Sequence, residues 1–212
     1  MLANVYEPFG RWFKPRRVRL FYDIFAITKE TKVLDLGGGP VFWKLAHTLG
    51  LPLPRVTVLN IRPVGRLPSP LTSVIGDAKA APFDNFSFDI AFSNSLIEHL
   101  VDWESQRRFA AEVARLARSY FVQTPDKLFP VEPHYVTPLI HWFPVEARRR
   151  LIRNFSVWGM ATRPSQEYVD QVVAEIRLLG KSEMVKLFPE AEIKSERFLG
   201  LSKSLVAWKK QN

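Results

Sequence analysis

The sequence predicts an α/β fold in which helices cover both faces of an open, mainly parallel sheet. Three observations support this prediction. A short apolar strand runs directly into a triple-glycine turn and a helix within residues 31–49. Short apolar segments and amphipathic helices then alternate as far as Pro125, as they do in βαβ units. Two final strands, at 191–199 and 202–209, flank Gly200 and predict a hairpin.

The first of these segments has the pattern of a ligand-binding corner. Residues 33–36 form a short buried strand, and Asp35 lies at its carboxyl end, where open α/β sheets hold ligands. Pro40 suits the first position of the helix that follows. Between strand and helix, a backbone without Cβ atoms can adopt positive φ and approach a ligand closely. The residues that provide this backbone are Gly37, Gly38 and Gly39.

The turn does not match the common nucleotide-binding patterns. A dinucleotide fingerprint requires a small residue in its third slot, where this chain has Phe42. A phosphate-binding loop would require Gly-Lys followed by Ser or Thr, which is absent. NAD and FAD are therefore not expected.

The remaining elements follow from apolar periodicity. Strands are predicted at 55–59, 71–75, 88–92 and 119–123, and helices at 16–28, 106–117, 145–155, 168–179 and 182–188. Aromatic residues among Pro and Gly at 1–14 predict an irregular arm. The helix at 16–28 covers the sheet or, alternatively, touches a membrane or closes over the cofactor. Gly159 and Gly180 are expected to end the helices that precede them.

We divide the chain as one domain. Residues 1–30 form the arm and first helix, 31–125 the cofactor-binding core, 126–180 a helical cap insertion, and 181–212 the final helix and hairpin. The insertion is dense in Pro, aromatic residues and His, and breaks the strand–helix rhythm. We predict that it closes over the sheet and forms most of a substrate pocket.

Composition narrows the possible functions. The 212 residues include no cysteine, which excludes disulfides, thiolate metal sites and cysteine nucleophiles. There is no run of 18 apolar residues and no evident secretory signal, so a cytoplasmic protein is expected. The formal net charge of +9 at pH 7 favours an anionic partner, such as an acidic substrate, a membrane surface or nucleic acid. A solvated basic surface would give the same charge.

Several segments together resemble the class I S-adenosylmethionine-dependent methyltransferases, and among them the type-11 family. They are Asp-Leu-Gly-Gly-Gly-Pro from residue 35, Gly-Asp-Ala-Lys-Ala-Ala-Pro-Phe-Asp from residue 76, and Phe-Asp-Ile-Ala-Phe-Ser-Asn-Ser-Leu-Ile-Glu-His-Leu from residue 88. The resemblance covers residues 31–125 well and is weak over 126–180. It implies a Rossmann-like fold with a seven-stranded sheet whose last strand is antiparallel, and S-adenosylmethionine as cofactor.

The resemblance also implies cofactor-binding residues. Asp35 and the three glycines would meet the methionine end, Asn60 with Ile61 the ribose, Asp77 with Ala78 the adenine, and Asn94 with Ser95 the region of the sulfonium. Asn60 departs from the family, which usually has an acidic residue there. Because hydrogen bonds to a neutral group contribute about 0.5–1.5 kcal/mol against roughly 1.5–3 for a charged one, we expect weaker cofactor binding. Asp77 and Asn94 are also common turn residues, which is the alternative explanation for both.

The candidate catalytic residues are His99, His134 and Tyr135. His99 follows the fourth strand, near the expected acceptor, and could act as a base if the acceptor must lose a proton; alternatively, it only anchors the next helix. His134 and Tyr135 lie in the insertion and either shape the acceptor pocket or pack within it. The four histidines are scattered along the chain without a metal-ligand spacing, so no metal site is predicted.

The function expected from the sequence is methyl transfer to a small-molecule or lipid-like acceptor at O, N or C. Two alternatives remain open at this point. The positive charge would also suit an RNA-directed methyltransferase, although nucleic acid is the less favoured partner. Asn60 would also suit a non-catalytic module that binds S-adenosylmethionine. Four arginines of the insertion, Arg148, Arg149, Arg150 and Arg153, could contact an anionic acceptor or a membrane surface.

Overall fold

The computed structural model describes the backbone of residues 3–211 and the side chains of residues 13–211. Its centre is a seven-stranded sheet in the order β3-β2-β1-β4-β5-β9-β8. The strands of this sheet are β1 (Lys32–Leu36), β2 (Arg55–Asn60), β3 (Leu71–Ile75), β4 (Phe88–Asn94), β5 (Ala117–Pro125), β8 (Glu192–Phe198) and β9 (Leu201–Lys209). A separate two-stranded hairpin consists of β6 (Val131–Glu132) and β7 (Thr137–Pro138).

The direction of the strands confirms the predicted fold class. β1 to β5 pair in parallel with their neighbours, and β9 is antiparallel to both β5 and β8. All five parallel strands therefore end at the same edge of the sheet, where ligands bind in open α/β folds. Among residues 3–211, no helix is both long enough and apolar enough to cross a membrane.

Helices pack on both faces of the sheet and bury two apolar cores. The helices are α1 (Ala3–Phe25), α2 (Pro40–Thr48), α3 (Trp103–Leu116), α4 (Val145–Phe155), α5 (Val157–Thr162), α6 (Gln166–Glu175) and α7 (Lys181–Leu187). Phe21 of α1 and Trp43 of α2 pack against Phe92 of β4 on one face. Phe109 of α3 and Met184 of α7 belong to the core on the other.

The prediction of an irregular arm at 1–14 was wrong for the described part of that segment. Residues 3–14 belong to α1, which includes Pro8, Gly10 and Pro15; residues 1 and 2 lie outside the described residues. The first helix is therefore longer than its periodicity at 16–28 indicated. Phe13 at the centre of α1 is buried, which shows that tertiary packing offsets the low helix propensity of its neighbours.

The insertion has a small apolar core of its own. This core consists of buried side chains from α4, from α6 and from the hairpin loop, namely Ile152, Val169, Val173 and Tyr135. Helix α4 has the predicted bounds. Two predicted helix ends were wrong: Gly159 lies inside α5, and Gly180 is the cap residue that precedes α7. In both places the cap of the following helix decides where the chain breaks. Ser156 Oγ accepts a hydrogen bond from Gly159 N at the start of α5, and the Glu183 carboxylate accepts one from Gly180 N at the start of α7.

Candidate functional site

A cavity of about 680 Å³ opens at the carboxyl ends of β1, β4 and β5. This volume lies within the usual range for small-molecule and cofactor sites. Four parts of the chain meet there: the glycine turn, the strand ends, α1 and the insertion. Its lining includes Phe13, Lys14, Arg17, Asp35, Gly37, Gly38, Gly39, Asn94, Ser95, Gln123, Pro125, Phe129, Val131, Pro133, Val136, Lys203 and Ser204.

Asp35 is a buried carboxyl group at the floor of this cavity. Trp43 Nε1 donates a hydrogen bond of 2.8 Å to its Oδ2, whereas its Oδ1 is buried without a partner. Burial raises the pKa of Asp35 to about 7, and the hydrogen bond from Trp43 opposes this shift only in part. An unpartnered, buried carboxyl oxygen is costly unless a ligand supplies a donor or a positive charge.

The glycine turn leaves no space for a side chain at Gly37 or Gly38. Gly37 has a φ of +76° and donates from its N to Leu59 O at 2.8 Å, which ties the turn to β2. A Cβ atom on Gly38 would lie 2.1 Å from Asp35 Oδ1, whereas one on Gly39 would meet nothing within 4 Å. Gly38 is thus required for the buried position of Asp35, a function that the sequence motif alone did not indicate.

A buried arginine organises the opposite wall. Arg17 of α1 donates from Nη1 to Asn94 Oδ1 and to Gln123 Oε1, both at 2.7 Å, and forms an ion pair with Glu196 of β8. The charge of Arg17 lowers the pKa of Glu196 although burial opposes this. Ser95, in the left-handed region with a φ of 59°, donates to the same Gln123 oxygen at 3.0 Å. Asn94 and Ser95 therefore line the cavity, and their contact with a cofactor stays a prediction.

Sequence reasoning missed most of this network. Gln123 ends a predicted strand, which is a signal that could have been used. Arg17 and Glu196 are 179 residues apart, and no local pattern connects them.

Lys203 is a second cation in the cavity wall. Its Nζ lies 4.4 Å from the centre of the Phe13 ring, a cation–π distance. Burial lowers the pKa of Lys203 to about 8, and the positive charge of Arg17 acts in the same direction. Lys203 is therefore largely protonated at neutral pH but costly to keep charged, which favours an anionic ligand beside it.

The residues predicted for ribose and adenine lie at the same edge of the sheet but outside the lining of this cavity. Asn60 Nδ2 donates to Gly38 O at 3.4 Å, and Ile61 is exposed. Asp77 Oδ1 accepts from Lys79 N at 2.9 Å, which is the turn chemistry named as the alternative. Ala78 packs in the core. Their contact with a cofactor stays a prediction.

The catalytic candidates also lie outside the cavity lining. Tyr135 is only 1% exposed, packs in the core of the insertion, and donates from its hydroxyl to Val172 O at 3.4 Å. Burial raises its pKa far above its usual range. The structure therefore corrects the choice of Tyr135: its side chain is a packing residue.

His99 and His134, by contrast, contact each other. Their Nε2 atoms are 3.3 Å apart, although the two residues are separated by 35 positions in the sequence. Partial desolvation of its ring and the neighbouring charge of His134 lower the pKa of His99, although the residue as a whole is exposed. Burial also opposes protonation of His134, but the hydrogen bond between its Nδ1 and Glu132 Oε1, 2.7 Å long, outweighs this effect and raises its pKa.

Comparison with known proteins agrees with this architecture. The profile of a family described as a methyltransferase domain matches residues 35–120. No curated protein sequence matches the chain significantly.

Three solved structures show the same fold. A protein described as a methyltransferase of an antibiotic biosynthesis pathway from Anabaena variabilis is 16% identical with a TM-score of 0.54, covering 86% of this chain and 64% of its own. A SAM-dependent methyltransferase from Methanosarcina mazei is 17% identical with a TM-score of 0.53, covering 91% and 98%. Geranyl diphosphate C-methyltransferase from Streptomyces coelicolor, in complex with S-adenosyl-L-homocysteine, is 13% identical with a TM-score of 0.51, covering 85% and 60%. The chain thus spans less than two thirds of the length of the first and third proteins.

Proposed function

We propose that the chain is a class I S-adenosylmethionine-dependent methyltransferase, and that it transfers a methyl group to a small-molecule or lipid-like acceptor in the cavity beside the glycine turn. The observation that carries this proposal is the composition of the cavity wall. The glycine turn lines one end of the cavity, and the insertion, where the resemblance to the family is weak, lines the other.

The floor of the cavity fits the methionine end of S-adenosylmethionine. Asp35 has a buried carboxyl oxygen without a partner, which would accept from an ammonium group. Gly37 and Gly39 present backbone without side chains to the same region. The cofactor brings an already activated methyl group, so the protein mainly has to position the acceptor and exclude water. Such positioning can contribute about 7–11 kcal/mol.

The opposite end of the cavity fits an acceptor that is mostly apolar and carries an anionic group. The insertion contributes Phe129, Val131 and Val136 to the wall. Lys203, which is half-buried, supplies a positive charge next to Phe13. We propose that the apolar wall holds the body of the acceptor while Lys203 binds its acidic group, which is consistent with the basic charge of the chain.

The first experiment uses mass spectrometry to find the acceptor. The purified protein is incubated with trideuteromethyl S-adenosylmethionine and either a metabolite and lipid extract or total RNA. A trideuteromethylated small acid or lipid supports the proposal. Label found only in RNA would contradict the acceptor class. Binding of S-adenosylhomocysteine without any labelled product would indicate a non-catalytic binding module.

A second experiment tests the acidic group. Lys203→Met should raise the KM for the identified acceptor about tenfold or more, because a hydrogen bond to a charged group contributes roughly 1.5–3 kcal/mol. Lys194→Met is the matched control, since Lys194 is exposed on β8. Equal KM values for both variants would contradict the proposed binding of an anionic group by Lys203.

A further inference from the structure

Two segments that are distant in sequence bring three metal-ligating side chains together beside the cavity. Glu98 and His99 lie in a short 3₁₀ helix, Ile97–His99, directly after β4. His134 lies in the hairpin loop between β6 and β7, in the insertion. The ligand atoms of these three residues all lie within 4.8 Å of one another.

The carboxylate of Glu98 is incompletely satisfied. The residue has no exposed surface, and its Oε2 accepts a hydrogen bond of 2.9 Å from Thr124 Oγ1. Its Oε1 is buried and has no hydrogen-bond partner. Burial raises the pKa of this carboxyl group. A positive charge next to Oε1 would compensate for the desolvation of the carboxylate.

His134 is oriented as metal-binding histidines usually are. Its Nδ1 lies 2.7 Å from Oε1 of the buried Glu132, and a carboxylate in this position favours the tautomer that carries its proton on Nδ1 and has its lone pair on Nε2. A carboxylate behind a histidine fixes the ring and increases its basicity as a ligand. The Nε2 lone pair of His134 points to His99, which has the same atom 3.3 Å away.

We propose that Glu98, His99 and His134 bind a Zn²⁺ ion. Two imidazole nitrogens and one carboxylate oxygen suit zinc better than magnesium or calcium, which prefer oxygen ligands. Two nitrogens bound tetrahedrally at about 2.0–2.1 Å lie about 3.3 Å apart, which matches the observed separation of the two Nε2 atoms. The ligand atoms of a tetrahedral zinc ion lie roughly 3.3–3.6 Å apart, and the three candidate atoms lie within 4.8 Å of one another, so the Glu98 carboxylate and the exposed ring of His99 need to shift by about 1 Å.

The position of this site suggests what zinc would do. It would connect the insertion, through His134, to the end of β4 in the core. Pro133, next to His134, and Gln123 and Pro125, on either side of Thr124, line the cavity. Three protein ligands leave a fourth position for water or a ligand oxygen, as in open zinc sites. The ion would thus hold in place the cavity wall that contacts the acceptor. This structural role is separate from the proposed methyl transfer.

Zinc binding can be measured without cofactor or acceptor. Untagged protein is treated with a chelator, dialysed, and titrated with ZnCl₂ by calorimetry, and the zinc content after gel filtration is determined by mass spectrometry. The wild type should bind one zinc per chain. His99→Ala and His134→Ala should each weaken zinc binding at least tenfold, whereas His47→Ala, an exposed histidine of α2, should not.

The variants are checked for folding by circular dichroism. His99 is exposed, so its variant is expected to fold even if that of His134 does not. Absence of zinc binding by the wild type, equal affinities in the His99 and His47 variants, or tighter binding of Mg²⁺ than of Zn²⁺ would each overturn the proposal. Because the measurement needs no S-adenosylmethionine, its failure leaves the proposed methyl transfer untouched.

Discussion

Asp35→Asn tests whether a buried, protonated carboxyl group sits beneath the cofactor turn. Burial raises the pKa of Asp35 from its ordinary 3.8 to about 7 in the folded protein. Between these two values the folded protein binds a proton that the unfolded chain releases. Stability is therefore lost as the pH rises through this window. An asparagine side chain does not ionise but is similar in size to aspartate, and its carbonyl oxygen can still accept the hydrogen bond from Trp43 Nε1.

The magnitude follows from the difference between the two pKa values. A shift of about three units at about 1.4 kcal/mol each amounts to roughly 4 kcal/mol over the whole window. Between about pH 5 and about pH 8, only the two pH units from 5 to 7 contribute, because the carboxyl group of folded Asp35 is itself ionised above a pH of about 7. The free energy of unfolding of the wild type should thus fall by about 3 kcal/mol relative to that of Asp35→Asn.

Urea unfolding of both proteins at a series of pH values measures this difference. All other titrating groups are shared, so their contributions cancel in the comparison. The free energies of unfolding of the two proteins should be similar near pH 5. Toward pH 8 that of the wild type should fall below that of Asp35→Asn, so that the variant becomes the more stable protein. Parallel curves would show that the carboxyl group of Asp35 titrates normally and that our account of the cavity floor is wrong.

The same carboxyl group connects stability to ligand binding. If Asp35 accepts from the ammonium group of the cofactor, binding requires its ionised form. At about pH 6, S-adenosylhomocysteine should then release roughly 0.9 proton per molecule bound, as expected for a group with a pKa of about 7. Calorimetry in buffers with different ionisation enthalpies measures this release, and Asp35→Asn should abolish it.

The remaining predictions concern the turn, the ribose and the insertion. Gly38→Ala should lower the free energy of unfolding by about 1–3 kcal/mol, because its Cβ would displace the Asp35 carboxyl group, whereas Gly39→Ala should change it by less than about 0.5 kcal/mol in urea unfolding. Asn60→Asp should keep or increase the affinity for S-adenosylhomocysteine and Asn60→Leu should decrease it; equal affinities by calorimetry would place Asn60 away from the ribose. Hydrogen exchange at residues 129–142 should slow when S-adenosylhomocysteine binds, and unchanged exchange there would argue against a closing cap.

The core of this protein could be predicted because its signals are local. Strand β3 has the predicted bounds, and β1, β2 and β4 differ from prediction by one or two residues. Short segments that are rich in branched apolar residues and bounded by turn residues are enough to predict a strand, even where most residues of the strand are not buried, as in β3. The glycine turn was equally readable, because the backbone conformation of Gly37 depends on the residue itself.

Where sequence reasoning failed, the deciding contacts are distant along the chain. Residues 3–14 were predicted to be irregular from Pro and Gly, yet the burial of Phe13 against other parts of the molecule offsets those local preferences. Tyr135 was assigned to catalysis because of its residue type, but the insertion uses its ring as core. Periodicity describes one element at a time and does not report which elements meet.

The cavity and the histidine pair illustrate this difference between local and long-range signals. The sequence by itself determined the sheet, the turn beneath the cavity and the polar strand ends Asn94 and Ser95. Only the tertiary structure placed Arg17 against Glu196, 179 residues away, and His99 against His134, 35 residues away. Side chains that cooperate across such separations have no shared spacing, because the loop between them can have any length. Their chemistry becomes visible only when the fold has brought them to one edge of the sheet.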